Sequence, residues 1–208
     1  MSGRGRLIAV EGIDGSGKTT QAKRLAVSSG AELTHEPGST MVGRSLRQLL
    51  LDPSTGLVDP MAEALLMCAD RAQHVAEVLR PSLHAGRWVV SDRYAASTVA
   101  YQGYGRGIPL DDVMQLVDLA TGGLSADLTV LIDVDPSVAA TRASAVPDRL
   151  EQLDADFHQR VRQGYLDLAG SGAGRWAVID GSGTIEQVAE AVREVVESVL
   201  GPAPGAVP

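Results

Sequence analysis

Several residue types that often organise a protein are nearly missing here. Of 208 residues one is cysteine, one is phenylalanine and two are lysine, and aromatic residues make up 3%. The lone thiol, Cys68, excludes an intramolecular disulfide framework and suits a reducing compartment. Positive charge is also short: 18 Lys and Arg against 26 Asp and Glu leave a formal net charge of -8, with a pI near 4.9. That balance argues against a nucleic acid or an anionic membrane as partner, while leaving room for a local basic pocket that takes a small phosphate compound. Long hydrophobic runs are absent too. The apolar stretch after the basic start "MSGRGRL" stops at Glu11, too short for a signal-peptide core or a membrane span, so the expected location is cytoplasmic. No internal repeat is visible.

What remains is an ordinary globular composition, 44% hydrophobic and 21% charged, at a length that fits one domain with a substantial core. Apolar runs alternate with helical patterns from end to end. "RLIAVE" (6–11), "ELTHE" (32–36), "RWVVSD" (87–92), "LTVLIDV" (128–134) and "WAVID" (176–180) read as strands, several of them continuous apolar runs that suit strands covered on both faces. Helical patterns fit 18–28, 43–51, 60–85, 109–121, 137–143, 151–169 and 185–200. The expected fold is α/β: a five-stranded parallel sheet flanked by helices, in one domain over residues 1–200. The tail "GPAPGAVP" (201–208) reads as disordered.

One of the two lysines, Lys18, lies in "GIDGSGKT" (12–19). This stretch fits G-x-x-x-x-G-K-[ST] between an expected strand and an expected helix, the context that makes a phosphate-binding P-loop. Glycines let backbone N–H groups curl around phosphate oxygens, and the following helix aims its positive end at the same anion. In this reading Gly12, Ile13, Asp14, Gly15, Ser16, Gly17, Lys18, Thr19 and Thr20 form the nucleoside triphosphate cradle. Lys18 bridges the outer phosphates and the Thr19 hydroxyl ligands Mg²⁺. The alternative is a glycine-rich strand-to-helix turn that holds no ligand. No guanine-reading N-K-x-D motif is evident, which counts against a GTPase.

"VVSDRY" (89–94) is an apolar strand ending in an acid. Asp92 there suits the outer shell of the metal, and Arg93 follows at the carboxyl edge of the sheet, where open α/β folds bind ligands. Arg93 is placed to grip a second phosphate with its guanidinium fork; a structural salt bridge is the competing reading. Tyr94, Tyr101 and Tyr104 cluster after this strand, as the wall of a flat substrate or as stacked core residues. His35, His74, His84 and His158 show no metal-ligand spacing and receive no role.

Taken in order, "EGIDGSGKTTQ", "HEPGST", "ADRAQH", "SDRYAASTVAYQG" and "DRLEQ" closely resemble the bacterial thymidylate kinase family, from about residue 7 to 200. The resemblance implies a P-loop nucleoside-monophosphate-kinase fold with a short lid (about 142–152). It implies ATP as phosphoryl donor, dTMP as acceptor, Mg²⁺, and a homodimer formed through helices. By residue, it implies that Arg93, with Arg47 and Glu36 beside it, holds the dTMP phosphate. Asp14 approaches the 3′-hydroxyl and the metal region, and Arg71 bonds the thymine carbonyl edge. Thr98 and Gln102 face the base or its phosphate, and Tyr101 crowds the sugar's 2′ position. Without the resemblance, Arg71 reads as a solvated helix charge and Asp14 as a turn former.

Three positions depart from the family pattern. Met67 stands one helical turn before Arg71, where an aromatic residue is usual; positions four apart share a face, so it can still cover the base. The lid "RASAVPDRLEQ" (142–152) keeps only Arg142 and Arg149. The expectation is that Arg149 neutralises the transferring phosphoryl on lid closure while Arg142 lies against adenine, with Arg142 in both roles as the alternative. Ser39 fills a position the family gives to glycine, for which a slightly displaced loop is expected. Competing functions are a kinase for dUMP, dCMP or a deoxynucleoside, and a weakly active nucleotide-binding protein.

Overall fold

A computed structural model describes residues 4–142 and 147–203. Five parallel strands, β1 (Leu7–Glu11), β2 (Glu32–His35), β3 (Val89–Asp92), β4 (Leu128–Asp133) and β5 (Trp176–Asp180), form one sheet in the order β2-β3-β1-β4-β5. All four pairings are parallel, with Val10 opposite both Asp92 on β3 and Val130 on β4. The order reverses at β1, so the carboxyl end of β1 opens onto a crevice between its neighbours.

Alternation along β1 divides the core. Ile8 and Val10 face α1 (Lys18–Ser29) and α9 (Ile185–Leu200), where they meet Ala22, Leu25, Val188, Val192 and Val196. Leu7 and Ala9 face the other way, onto Val75, Leu79 and Leu83. Every residue of β1 is buried, which accounts for its unbroken apolar run. A third cluster, built from Leu131, Tyr101, Phe157, Val161 and Tyr165, lies next to the crevice.

The remaining helices are α2 (Met41–Leu51), α3 (Pro60–His74), α4 (Arg80–His84), α5 (Ala95–Thr98), α6 (Leu110–Thr121), α7 (Pro136–Thr141) and α8 (Ala155–Gly170). The pattern over 60–85 is one helical rod with a widened turn at Val75–Leu79, where the Arg80 N–H donates to the Val75 carbonyl five residues back. Pro81 explains it: its ring crowds the carbonyl four residues earlier, and widening the turn relieves the clash. Helix α8 begins at Ala155 rather than 151 because Asp154 caps it on Phe157 N (2.7 Å), while Asp148 holds Leu150 and Glu151 in a preceding turn.

Residues 95–105 carry a helix that the sequence pattern does not announce: α5 continues through a wide-turned segment, Val99–Gly105. It is held by packing against α8, where a Cβ on Gly105 would meet Phe157 Cε2 at 2.6 Å and one on Gly164 would meet Tyr104 Cγ at 2.6 Å. Within the tail expected to be disordered, Ala203 still packs on the α1–α9 core. The rest of the tail expected to be disordered, 204–208, lies outside the described residues, as do lid residues 143–146.

Candidate active site

The glycine loop follows β1 and feeds α1, as the motif requires. Gly12, Gly15 and Gly17 have φ of 146°, 81° and 90°, a region side chains with Cβ avoid. Gly15 is also walled in: a Cβ there would lie 2.3 Å from the Ala139 carbonyl oxygen, whereas one on Gly17 would meet nothing. Helix α1 has no side-chain cap, unlike α2, α3, α7, α8 and α9, which are capped by Thr40, Asp59, Asp135, Asp154 and Thr184. The Lys18 N–H reaches only the Ser16 hydroxyl at 3.4 Å, and the N–H groups of the next residues are left for an anion. The cavity over this helix end is lined by Gly15 to Gln21, Arg142, Gly181, Gly183 and Thr184. Arg142 donates from Nη1 to the Gly181 carbonyl (2.9 Å), on the donor side where the lid begins.

Thr19 Oγ1 donates to Asp92 Oδ2 (2.5 Å), bringing together the two residues expected at the metal. Asp92 Oδ1 is buried and has no partner among the described residues. A buried carboxyl oxygen in that state has room for a cation or a water, and a hard ion with its own water shell fits it. Among the described residues no group of three or more His, Cys, Asp or Glu is placed to hold a metal; magnesium needs none, because phosphates and water supply most of its ligands.

A second cleft opens on the other side of Asp14, lined by Asp14, Glu36, Arg47, Met67, Asp70, Arg71, Arg93, Thr98, Tyr101, Gln102, Asp148 and Leu150 among others. Every expected acceptor residue lines it. Arg71 is 2% exposed and held at three of its five N–H donors: Nε donates to Glu36 Oε2 (2.8 Å), Nη1 to Thr98 Oγ1 (2.8 Å) and Nη2 to the Tyr94 carbonyl (2.9 Å), leaving the others for a ligand in the cleft. The solvated-charge reading of Arg71 is therefore wrong. Met67 is partly buried on the same helix face, and Arg47 donates to the Pro37 carbonyl (2.8 Å).

Arg93 adopts φ 71°, costly for a residue with a side chain and concentrated at functional sites. The surroundings impose it. The Arg93 N–H donates to the Val10 carbonyl (3.0 Å), and the next turn is fastened to Glu11, which accepts from Tyr94 N (2.9 Å) and Ser97 Oγ (2.6 Å). The guanidinium pairs with Asp14 and donates to Tyr101 Oη (3.0 Å), while Lys18 Nζ donates to the same Asp14 oxygen (2.9 Å). Tyr101 Oη donates to the other oxygen of Asp14 (2.7 Å). Burial would raise the Asp14 carboxyl, but Arg93 and Lys18 outweigh it and hold it well below the usual carboxylate range. The salt-bridge reading of Arg93 thus holds here, at the place where the phosphate-gripping reading puts its ligand.

Arg149 departs from expectation. It lines neither the donor cavity nor the cleft; its Nη2 donates to Glu63 Oε2 (2.7 Å) and its Nε to the Leu50 carbonyl (2.8 Å). It fastens the end of the lid to α2 and α3 instead of facing the phosphates. Ser39 departs too. Its φ is not positive, and its hydroxyl accepts from His35 N (2.9 Å) and Thr34 Oγ1 (2.8 Å). It stitches the loop to β2, and no strain arises.

Four site residues escape a sequence reading. His74 is fully buried and bonds Glu36 Oε1 through Nδ1 (2.7 Å) and Thr34 Oγ1 through Nε2 (2.7 Å); its only signal was its place three residues after Arg71 on one helix face. Asp70 accepts from Gly38 N (2.9 Å), and burial together with Glu36 pushes its carboxyl up to about 6. Glu11 and Glu63 are buried carboxylates whose partners are distant in sequence.

Known proteins agree with this geometry. The thymidylate kinase family model matches residues 10–192. A thymidylate kinase of Carboxydothermus hydrogenoformans is 46% identical over 205 residues, covering 95% of this chain and 100% of the relative. One from Deinococcus radiodurans is 48% identical over 184 residues, covering 85% and 89%. The crystal structure of thymidylate kinase from Ehrlichia chaffeensis aligns with a TM-score of 0.76 at 35% identity, covering 93% of this chain and 99% of that one.

Proposed function

Because the chain belongs to the thymidylate kinase family, we propose that its two clefts hold ATP and dTMP head to head, and that it passes the γ-phosphoryl of ATP to dTMP, giving dTDP and ADP. One observation carries this reading. A single carboxylate, Asp14, is gripped at once by Lys18 from the donor loop and by Arg93 from the acceptor cleft. The two cations therefore sit close enough to share anionic oxygens of neighbouring phosphates. Phosphoryl transfer asks for positioning and charge neutralisation more than covalent chemistry. The attacking dTMP oxygen is already an anion, so no general base is required.

In this mechanism the P-loop N–H groups and Lys18 hold the β- and γ-phosphates. Arg93, kept rigid by Glu11 and Tyr101, orients the acceptor phosphate in line with them. Arg71 meets the carbonyl edge of the base, and Met67 covers its face. Thr19 and Asp92 are the residues that would hold Mg²⁺, which when bound neutralises charge on the outer phosphates. Arg142, on the donor side, is the lid arginine placed to lie along the nucleotide and reach the transferring group; Arg149 is already engaged by Glu63.

A homodimer is supported by one apolar face. Met61 and Leu65 on α3, and Leu110 and Met114 on α6, are exposed at i, i+4 spacing on two helices that pack together. Among the described residues no helix is long and apolar enough to cross a membrane.

Coupled ADP release with ATP and a panel of monophosphates tests the main reading. Release that depends on dTMP, and strongly favours it over dCMP, is expected. ADP release indifferent to dTMP would overturn it, leaving a nucleotide-binding protein without transfer.

A further inference from the structure

Glu63 does not line the cleft, yet three side chains from two segments converge on it. It is 0% exposed. Its Oε1 accepts from Gln102 Nε2 (3.0 Å) and Arg106 Nε (3.1 Å). Its Oε2 accepts from Arg106 Nη2 (2.8 Å) and Arg149 Nη2 (2.7 Å). Burial alone would favour the protonated acid, but the hydrogen bonds from Arg106, Gln102 and Arg149 outweigh it and lower the carboxyl from its ordinary value.

An ionised carboxylate only accepts hydrogen bonds. It can therefore hold the NH₂ end of the Gln102 amide and never the carbonyl end. Among the described residues no donor meets Gln102 Oε1, and Gln102 lines the acceptor cleft. From these contacts we infer that Glu63 is a positioning residue for base selection: it turns the Gln102 carbonyl toward the substrate, so the cleft favours a base with an N–H at ring position 3. Thymine donates there, whereas cytosine offers a lone pair that would face the same oxygen. With the amide free to turn, Gln102 could satisfy either base; with Glu63 in place it satisfies one. The same carboxylate holds Arg149, between the cleft-lining residues Asp148 and Leu150, so the base reader and the lid's end share one anchor. This rests on dTMP being the acceptor.

The test uses the full chain carrying Glu63→Gln, an isostere that no longer dictates the amide's direction. Turnover with dTMP and with dCMP is measured at saturating ATP, or nucleotide affinity by calorimetry where turnover is too slow. A lost or mismatched buried hydrogen bond corresponds to roughly ten- to hundredfold. The expected result is a fall of about that size in kcat/KM for dTMP, carried by KM for dTMP with KM for ATP unchanged, and a dTMP-to-dCMP preference narrowed at least about tenfold. An equal loss for both nucleotides, with the preference intact, would reduce Glu63 to a structural clamp and overturn the inference. Wild-type protein that shows no dTMP-dependent ADP release would instead fail the underlying reading. Should the variant not fold, NMR of wild-type chain with ¹⁵N-labelled glutamine decides: the Gln102 amide protons are expected to show no contact with thymine in the dTMP complex, and a contact would overturn the inference.

Discussion

The donor and acceptor halves of the site meet at Asp14 but are built from different materials. The donor half is mainly backbone: three left-handed glycines, an uncapped helix end and one lysine, nearly all within residues 12–20. The acceptor half is side chains in a buried mesh, with Glu36, Arg71, His74 and Thr34 in one chain of contacts and Glu63, Gln102, Arg106 and Arg149 in another. Phosphate is common to all nucleotides, and a backbone nest recognises it without reading anything else. Selecting one base takes donors and acceptors held at fixed angles, which requires every buried polar group behind them to be satisfied.

Substitutions can break that contrast. The largest effect is expected from Lys18→Ala, which removes the phosphate loop's cation. Loss of a preorganised cation at developing charge lowers kcat by about 10²–10³-fold, with the melting temperature nearly unchanged because Asp14 keeps Arg93 and Tyr101; steady-state kinetics and calorimetry check both. Near-normal turnover would remove Lys18 from the mechanism.

Asp70 supplies the acceptor-side counterpart. Its carboxyl is raised from an ordinary 3.8 to about 6, so the folded chain keeps a proton that the unfolded chain gives up. Its contribution to stability is therefore complete below about pH 4, declines as pH rises to about 6 and is lost above. The full difference is about 2–3 kcal/mol. Asp70→Asn, which cannot ionise, should flatten that part of the denaturation-versus-pH curve; parallel curves for the two proteins would refute the buried-acid account.

His74→Phe keeps the volume but strips Glu36 and Thr34 of a partner. Unfolding free energy should fall by about 1–3 kcal/mol, and KM for dTMP should rise more than KM for ATP as Arg71 loses its anchored carboxylate. A rise confined to ATP would show that the mesh does not serve the acceptor.

The smallest effect is expected at Ser39→Gly. Restoring the family's glycine removes the hydroxyl that ties the loop to β2, with a cost of about 0.5–1.5 kcal/mol in denaturant unfolding. A gain in stability would bring back the strain account.

These contrasts also mark what could be read without a structure. All five strands and most helices follow from periodicity, because burial on both faces leaves a continuous apolar run and burial on one leaves a stripe. The segment 95–105 escaped because its helix depends on Gly105 and Gly164 admitting Phe157 and Tyr104, a fit made across two elements. Arg149 was expected on the phosphates because charge and lid position both pointed there. Nothing in "DRLEQ" tells that Glu63, 86 residues earlier, has already engaged it.

Read alone, the chain determined its phosphate loop and its parallel sheet, since each rests on local geometry or on a motif within a few positions; the residues assigned to the acceptor came from the resemblance of its motifs to a family. Folding alone decided which of those residues are free to touch a ligand and which are held by others. A buried guanidinium, carboxylate or amide takes its direction from whatever partner tertiary packing brings within about 3 Å, and that partner has no fixed distance along the sequence.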